Sequence, residues 1–291
     1  MNRKWWMTGG AFGIGAVMLL TSGWSAMAGT SGYETYNAAM KRTAAAASLT
    51  ASVDLTVTDN GRSLLAAASD IRWDRASHAG SLAAKADGAG EAHAANVYLQ
   101  DGKLIVKTAD SDVYRVKEMD GEAAAEADQA KREKPHAPPK AVLQLFDALT
   151  GNMKELATAQ TTADGGKQAS LHLSGSRIPA VVNALGALAV SGRAGEDQGG
   201  SKADLPALTD NVKVERIDLD AKIAPDGLID EQTADIVVSG KDETGTKHEI
   251  ELRLHIDFAG YNETTPERVD LTGQKVEAFE QKNADRGPWH R

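Results

Sequence analysis

The chain has no cysteine. No disulfide can brace it, no thiolate can bind a metal or attack a substrate, and a lipoprotein signal, whose acylated residue is a cysteine, is excluded. Aromatic residues are scarce at 5%. Four of them, Trp5, Trp6, Phe12 and Trp24, fall in the first 28 residues. The remaining rings are scattered from Tyr33 to Trp289, too sparse for a sugar-stacking platform. Basic residues are outnumbered, 32 Lys and Arg against 41 Asp and Glu. A net negative body repels phosphate backbones and anionic head groups, so no nucleic-acid partner is expected.

Catalytic signatures are also missing. The chain contains no G-x-S-x-G or S-x-x-K nucleophile motif, and Gly166-Lys167 lacks the upstream glycine and the following Ser or Thr of a phosphate loop. The seven histidines, His78, His93, His136, His172, His248, His255 and His290, include no H-E-x-x-H pair. His248 and His255 are separated by an odd number of positions, which puts them on opposite faces of one strand. Asp110-x-Asp112 and Asp218-x-Asp220 have calcium-type oxygens but do not continue into the six to eight ligands such a site needs. No cofactor, metal site or catalytic residue is expected, and the chain reads as a non-enzyme.

Among what is present, the N-terminus stands out. Arg3 and Lys4 precede a run of 24 uncharged residues, 5–28, centred on Phe12, Ile14, Val17, Met18, Leu19 and Leu20. That is the order of an export signal. Ala26 and Ala28 offer the small side chains a signal peptidase reads, while the run is also long enough to span a bilayer as an uncleaved anchor. Either way the basic residues stay inside and the body lies outside the membrane, extracellular or on the outer face of the cytoplasmic membrane. Only four residues would then remain in the cytoplasm, too few for a signalling domain.

The body divides into 29–279, a single β-rich domain, and a polar tail over 280–291. Residues 33–47 have helical spacing in Tyr36, Ala39, Met40 and Thr43. Val53, Leu55 and Val57 alternate with polar residues as a half-buried strand, and Asn60-Gly61 turns the chain back into 62–73. The same grammar recurs through Ala95, Val97 and Leu99, the turn Asp101-Gly102, and short strands at 104–106 and 113–116, an antiparallel meander. Residues 76–93 are small and polar and read as an edge strand or a loose connection.

Residues 118–139 and 191–204, rich in charge, Pro or Gly, read as flexible insertions. Two amphipathic helices are expected beside them. One, over 140–157, carries the stripe Val142, Leu145, Phe146, Leu149, Met153 and Leu156; the other, through Val190, carries Val181, Val182, Leu185 and Leu188. A strand over 169–173 lies between them. The last third predicts three long strands, 212–223, 228–239 and 247–258. In the third, Ile250, Leu252, Leu254, Ile256 and Phe258 share one face and charged residues the other. The first slips phase between Val214 and Ile217, which predicts a bulge.

This order of elements over 33–275 resembles the LolA and LppX family of exported carriers. The resemblance implies a strongly curved, half-barrel-like sheet whose concave side is plugged by helices, with acyl chains held between them. Leu173-Ser174-Gly175-Ser176-Arg177-Ile178-Pro179 and Asp270-Leu271-Thr272-Gly273 are similar to parts of uncharacterised exported proteins of Gram-positive spore formers, a likeness that implies no activity.

The expectation is therefore an α+β fold, a curved antiparallel sheet with amphipathic helices packed on one face. Val142, Leu145, Phe146, Leu149, Met153, Val182, Leu185, Ile250, Leu252, Leu254, Ile256 and Phe258 are the candidate apolar ligand face or core face. The leading function is an extracytoplasmic, non-enzymatic protein binding a lipid or another apolar ligand. The alternative is a cell-envelope structural or protein-interaction module. Membrane contact is expected only through the N-terminal segment, if it is not cleaved.

Overall fold

The computed structural model describes residues 31–88, 91–119, 156–178 and 206–278. The N-terminal segment with Ala26 and Ala28, the expected insertions apart from Glu118 and Met119, nearly all of the two expected amphipathic helices, and the polar tail lie outside the described residues. Among the described residues no helix is long and apolar enough to cross a membrane.

The fold begins with helix α1, Ser31–Ala44, which places Glu34 in its first turn and Lys41 and Arg42 in its last, charges that oppose the helix dipole. Tyr33, Tyr36, Ala39 and Thr43 recur at helical spacing and are buried. A Cβ on Gly32 would lie 2.5 Å from the backbone of Ala157, so only glycine lets the helix start so close to that segment.

Strands β1 (Ser48–Asp59) and β2 (Arg62–Asp74) form the predicted hairpin. Asn60 and Gly61 take φ of 49° and 78°, the left-handed pair that matches strand twist. The meander continues through β3 (Ala79–Gly88), β4 (Glu91–Gln100), β5 (Lys103–Thr108) and β6 (Val113–Glu118). Here one expectation is corrected. Residues 79–88 are an interior strand paired on both sides, to β2 and to β4, rather than an edge or a loose connection. Backbone ladders do not need large side chains, so an Ala- and Gly-rich strand is stable once both neighbours supply its hydrogen bonds.

The second run comprises β7 (Thr158–Thr161), β8 (Lys167–Ser174), β9 (Asp210–Ile223), β10 (Ile229–Lys241) and β11 (Lys247–Ala259). Strand β7 had no sequence signal of its own. A single 3-10 turn, Gly175–Arg177, follows β8. The expected bulge is present: Val237 pairs with Arg216 and Val238 with Val214, leaving Glu215 as the extra residue.

Among the described residues twelve strands, the last being β12 (Lys275–Ala278), join one curved, unclosed sheet in the order β12-β6-β5-β4-β3-β2-β1-β11-β10-β9-β8-β7. The two runs meet where β1 pairs with β11. Strand β12, Lys275–Ala278, pairs in parallel with β6, so the sheet is antiparallel except at that edge.

Between β11 and β12 the chain runs as a strap across the outside of the meander. Asn262 accepts from the Ala47 amide, Thr264 meets Ser48 and Thr50, and the Glu267 amide donates to Ser81. Gln100 then takes both backbone groups of Val269, its Oε1 accepting the amide at 2.9 Å and its Nε2 donating to the carbonyl at 2.8 Å. The side chain thus replaces a strand partner for the strap.

Candidate functional site

Side chains alternate across the sheet, and register carries each face from strand to strand. Ile250, Leu254, Ile256 and Phe258 are buried on the inner face, Leu252 is partly buried there, and Glu249, Glu251, Arg253, His255 and Asp257 occupy the outer face. These five apolar members of the candidate face pack with Val53 and Leu55 of β1, Ile217 and Ile223 of β9, and Ile229 and Ala234 of β10 in two adjoining clusters. The other seven, on 142–153 and 182–185, lie outside the described residues.

Helix α1 covers one of these clusters through Tyr36, Ala39 and Met40. The seal is polar as well as apolar. Thr43 Oγ1 accepts from the Ile229 amide at 3.0 Å, and the Tyr261 hydroxyl donates to the Ile229 carbonyl, so a residue with no exposed surface keeps both backbone groups satisfied. Gln232 donates to the Tyr36 hydroxyl at 2.7 Å beneath the helix. Burial pushes both phenols up, Tyr261 to about 12. The void between α1, Ala169, Leu219, Ala221 and Gln232 is about 20 Å³, roughly one water's worth, and leaves no room for a ligand.

The inner face of the meander differs. The pairings carry one row through Ile71, Leu82, Val97 and Val106, and the next through Trp73, Gly80, Leu99 and Leu104. The row beyond Ile71 is small and partly polar, Ser69, Ala84, Ala95 and Thr108, and the one after it joins Ala67 and Ala86 to His93. Leu82 is buried, while Ile71, Trp73, Val97, Leu99, Leu104 and Val106 are only half-buried. From Leu82 onward these side chains belong to neither large core cluster. This apolar stretch of β2–β5, not closed over by α1 and bordered by cations, with Arg75 4.9 Å over the Trp73 ring and Arg115 and Lys117 of β6 opposite Val106 and Leu104, is the candidate site. Sequence alternation found Val97 and Leu99 but assigned no function to them; the missing signal was register, which aligns four strands.

A second concavity lies on the outer face under the strap, about 520 Å³ and open, lined by Gln100, Asp101, Lys103, Ile105 and Arg268 to Leu271. Its lining is mixed and solvent-facing.

Among the described residues, the acid–base groups outside the inner face pair in ways other than a serine–histidine–acid relay. Ser170 Oγ and His172 Nε2 both bind Asp220, at 2.5 and 2.8 Å, on its two oxygens. A relay needs histidine between serine and acid; here the acid stands in the middle. Despite partial burial, hydrogen bonds from Ser170, His172 and Gln168 hold the Asp220 carboxyl below its usual range. Asp218 pairs with Arg216 at 3.2 Å, so the Asp218-x-Asp220 pair is already engaged. His248 sits at the sheet rim between Asp59, 2.8 Å from Nδ1, and Asp242, 3.4 Å from Nε2. It faces inward, opposite to His255, as alternation predicts.

No family model matches the chain, and no curated protein is similar to it. Among solved structures it is similar to a LolA superfamily protein from Nitrosomonas europaea at 7% identity, over 84% of this chain and 97% of that one, with a TM-score of 0.22. At that level no residue or activity is carried across.

Proposed function

We propose that the chain acts outside the cytoplasmic membrane as a non-enzymatic protein that holds a lipid or other apolar ligand against the inner face of β2–β5. One observation carries the reading: Ile71, Trp73, Val97, Leu99, Leu104 and Val106 are aligned, apolar and only half-buried, beside a face of similar pattern that α1 covers in part. Exposed apolar area costs about 25 cal/mol per Å² in water, so a face of this kind gains by being covered. Small residues at Ala67, Gly80 and Ala86 leave depth for a chain to lie between the larger ones. The signal-like pattern of residues 1–28 supports the compartment, and the acidic body favours an uncharged contact over anionic partners.

Native mass spectrometry and solvent extraction of the purified protein test this. Co-purifying lipid is expected, and it should disappear in Val97→Asp, which puts a charge in the middle of the row. Lipid-free protein that also takes up none from added fatty acid or phospholipid would contradict the proposal.

The second reading, an envelope interaction module, draws on the outer face. There Arg216 joins Asp218, Asp235 and Glu251, and Arg253 joins Asp235 and Glu251, in one exposed charge lattice. Cross-linking in intact cells separates the two readings, since a module should yield a protein partner where a carrier yields lipid.

A further inference from the structure

The outer face carries a second feature, independent of the apolar rows. We propose that Glu231, His255 and Asp257 bind a divalent transition-metal ion on the outside of β10 and β11. His255 and Asp257 are two positions apart on β11 and so project together. The β10–β11 register sets Glu231 directly opposite Asp257. One ligand atom from each of the three residues lies within 4.8 Å of the others, and His255 Nε2 is 2.9 Å from Asp257 Oδ2. Among the described residues this is the one group of three His or carboxylate side chains that converges so closely.

Two carboxylates directly opposite on one sheet face repel each other. Elsewhere on the outer face, arginines are shared among the acids, as Arg216 and Arg253 are with Asp235 and Glu251. At this position a single lysine serves. Lys222 Nζ is 2.6 Å from Glu231, and its remaining neighbour charge is Asp257. From the other side, β1 presents Asp54 directly opposite His255. The site is thus an imidazole among carboxylates with one ammonium as its counter-ion, and an arriving dication would displace that ammonium.

The donor set selects the kind of ion. One imidazole nitrogen and two carboxylate oxygens suit zinc and its first-row neighbours, whereas calcium and magnesium require shells built from oxygen. Three protein ligands on an open face leave the remaining positions to water. Spacing along the chain does not reveal this cluster, because no two histidines are spaced as ligands and the third donor comes from another strand.

Isothermal titration of zinc into chelator-treated protein, with calcium as the hard-ion control, tests the proposal. One zinc equivalent is expected to bind more tightly than calcium. His255→Ala and Asp257→Asn should each weaken zinc binding by about tenfold or more. Lys222→Ala should tighten it, because the competing ammonium is gone, and this gain does not depend on a variant losing function. The proposal is overturned by absence of saturable zinc binding, by zinc binding that His255→Ala leaves unchanged, or by calcium binding as tightly as zinc.

Discussion

The two halves of this sheet share a strand grammar and differ in what lies opposite it. On β1 and β8–β11 the inner face carries Val53, Leu55, Leu171, Leu173, Ile217, Leu254 and Ile256, and packing leaves each less than a tenth exposed. On β2–β5 the same face mixes Ile71, Leu82, Val97 and Val106 with alanine and glycine, and most of it stays half-buried. Alternation therefore reports which face is apolar, while closure depends on the facing layer. The sealed half supplies stability, and the half-buried half is where the proposed ligand lies.

The sharpest way to break that division is to compare truncations. Ile256→Ala removes a side chain with no exposed surface from the sealed half and should cost about 2–5 kcal/mol in urea denaturation. Val97→Ala, in the meander, should cost less than about 1 kcal/mol while weakening ligand retention. Equal costs would mean that the two halves are one closed core. The strap comes next. Gln100→Ala strands both backbone groups of Val269 and should cost about 1–3 kcal/mol.

A smaller, pH-dependent effect belongs to the rim of the sealed half. A neutral imidazole has one N–H, so His248 can serve both Asp59 and Asp242 only as imidazolium. Hydrogen bonding to Asp59, and then to Asp242, raises its pKa. The resulting stability is complete below the ordinary histidine pKa of about 6.5 and is lost as pH rises through the raised folded value. Asp242 is pulled down to about 2, chiefly by the Thr244 hydroxyl, so its contribution fades only as pH falls from about 4 toward 2. Urea midpoints across pH 5–9 should show wild type losing an advantage over His248→Gln on the alkaline side. A constant difference would show that His248 is not charged in the folded protein. The least effect is expected from Arg253→Ala on the exposed lattice, below about 1 kcal/mol and screened by salt.

Much of the described fold was legible because it is written in local chemistry. Asn60-Gly61 and Asp101-Gly102 both take the left-handed pair of angles that their residue types favour, the phase slip between Val214 and Ile217 is a real bulge, and the one-sided alternation over 247–258 matches the burial of β11. Other features were not legible. Strand β3 has too few large side chains to show a period, and it is defined by its neighbours. Strand β7 and the strap to β12 are short or extended segments with no periodicity, held by distant partners such as Gln100 and Ser81. The candidate site and the Glu231, His255 and Asp257 cluster both arise from register, which aligns residues across strands, as Glu231 with Asp257.

The most direct measurement uses Trp73, which stands on the inner face between Leu49 and Gly80. In residues 29–291 with Trp289→Phe it is the sole tryptophan. Titration with a dibrominated fatty acid should quench Trp73 saturably, and Val97→Asp should abolish the quenching. An emission that the brominated lipid leaves unchanged would contradict an apolar ligand on β2–β5.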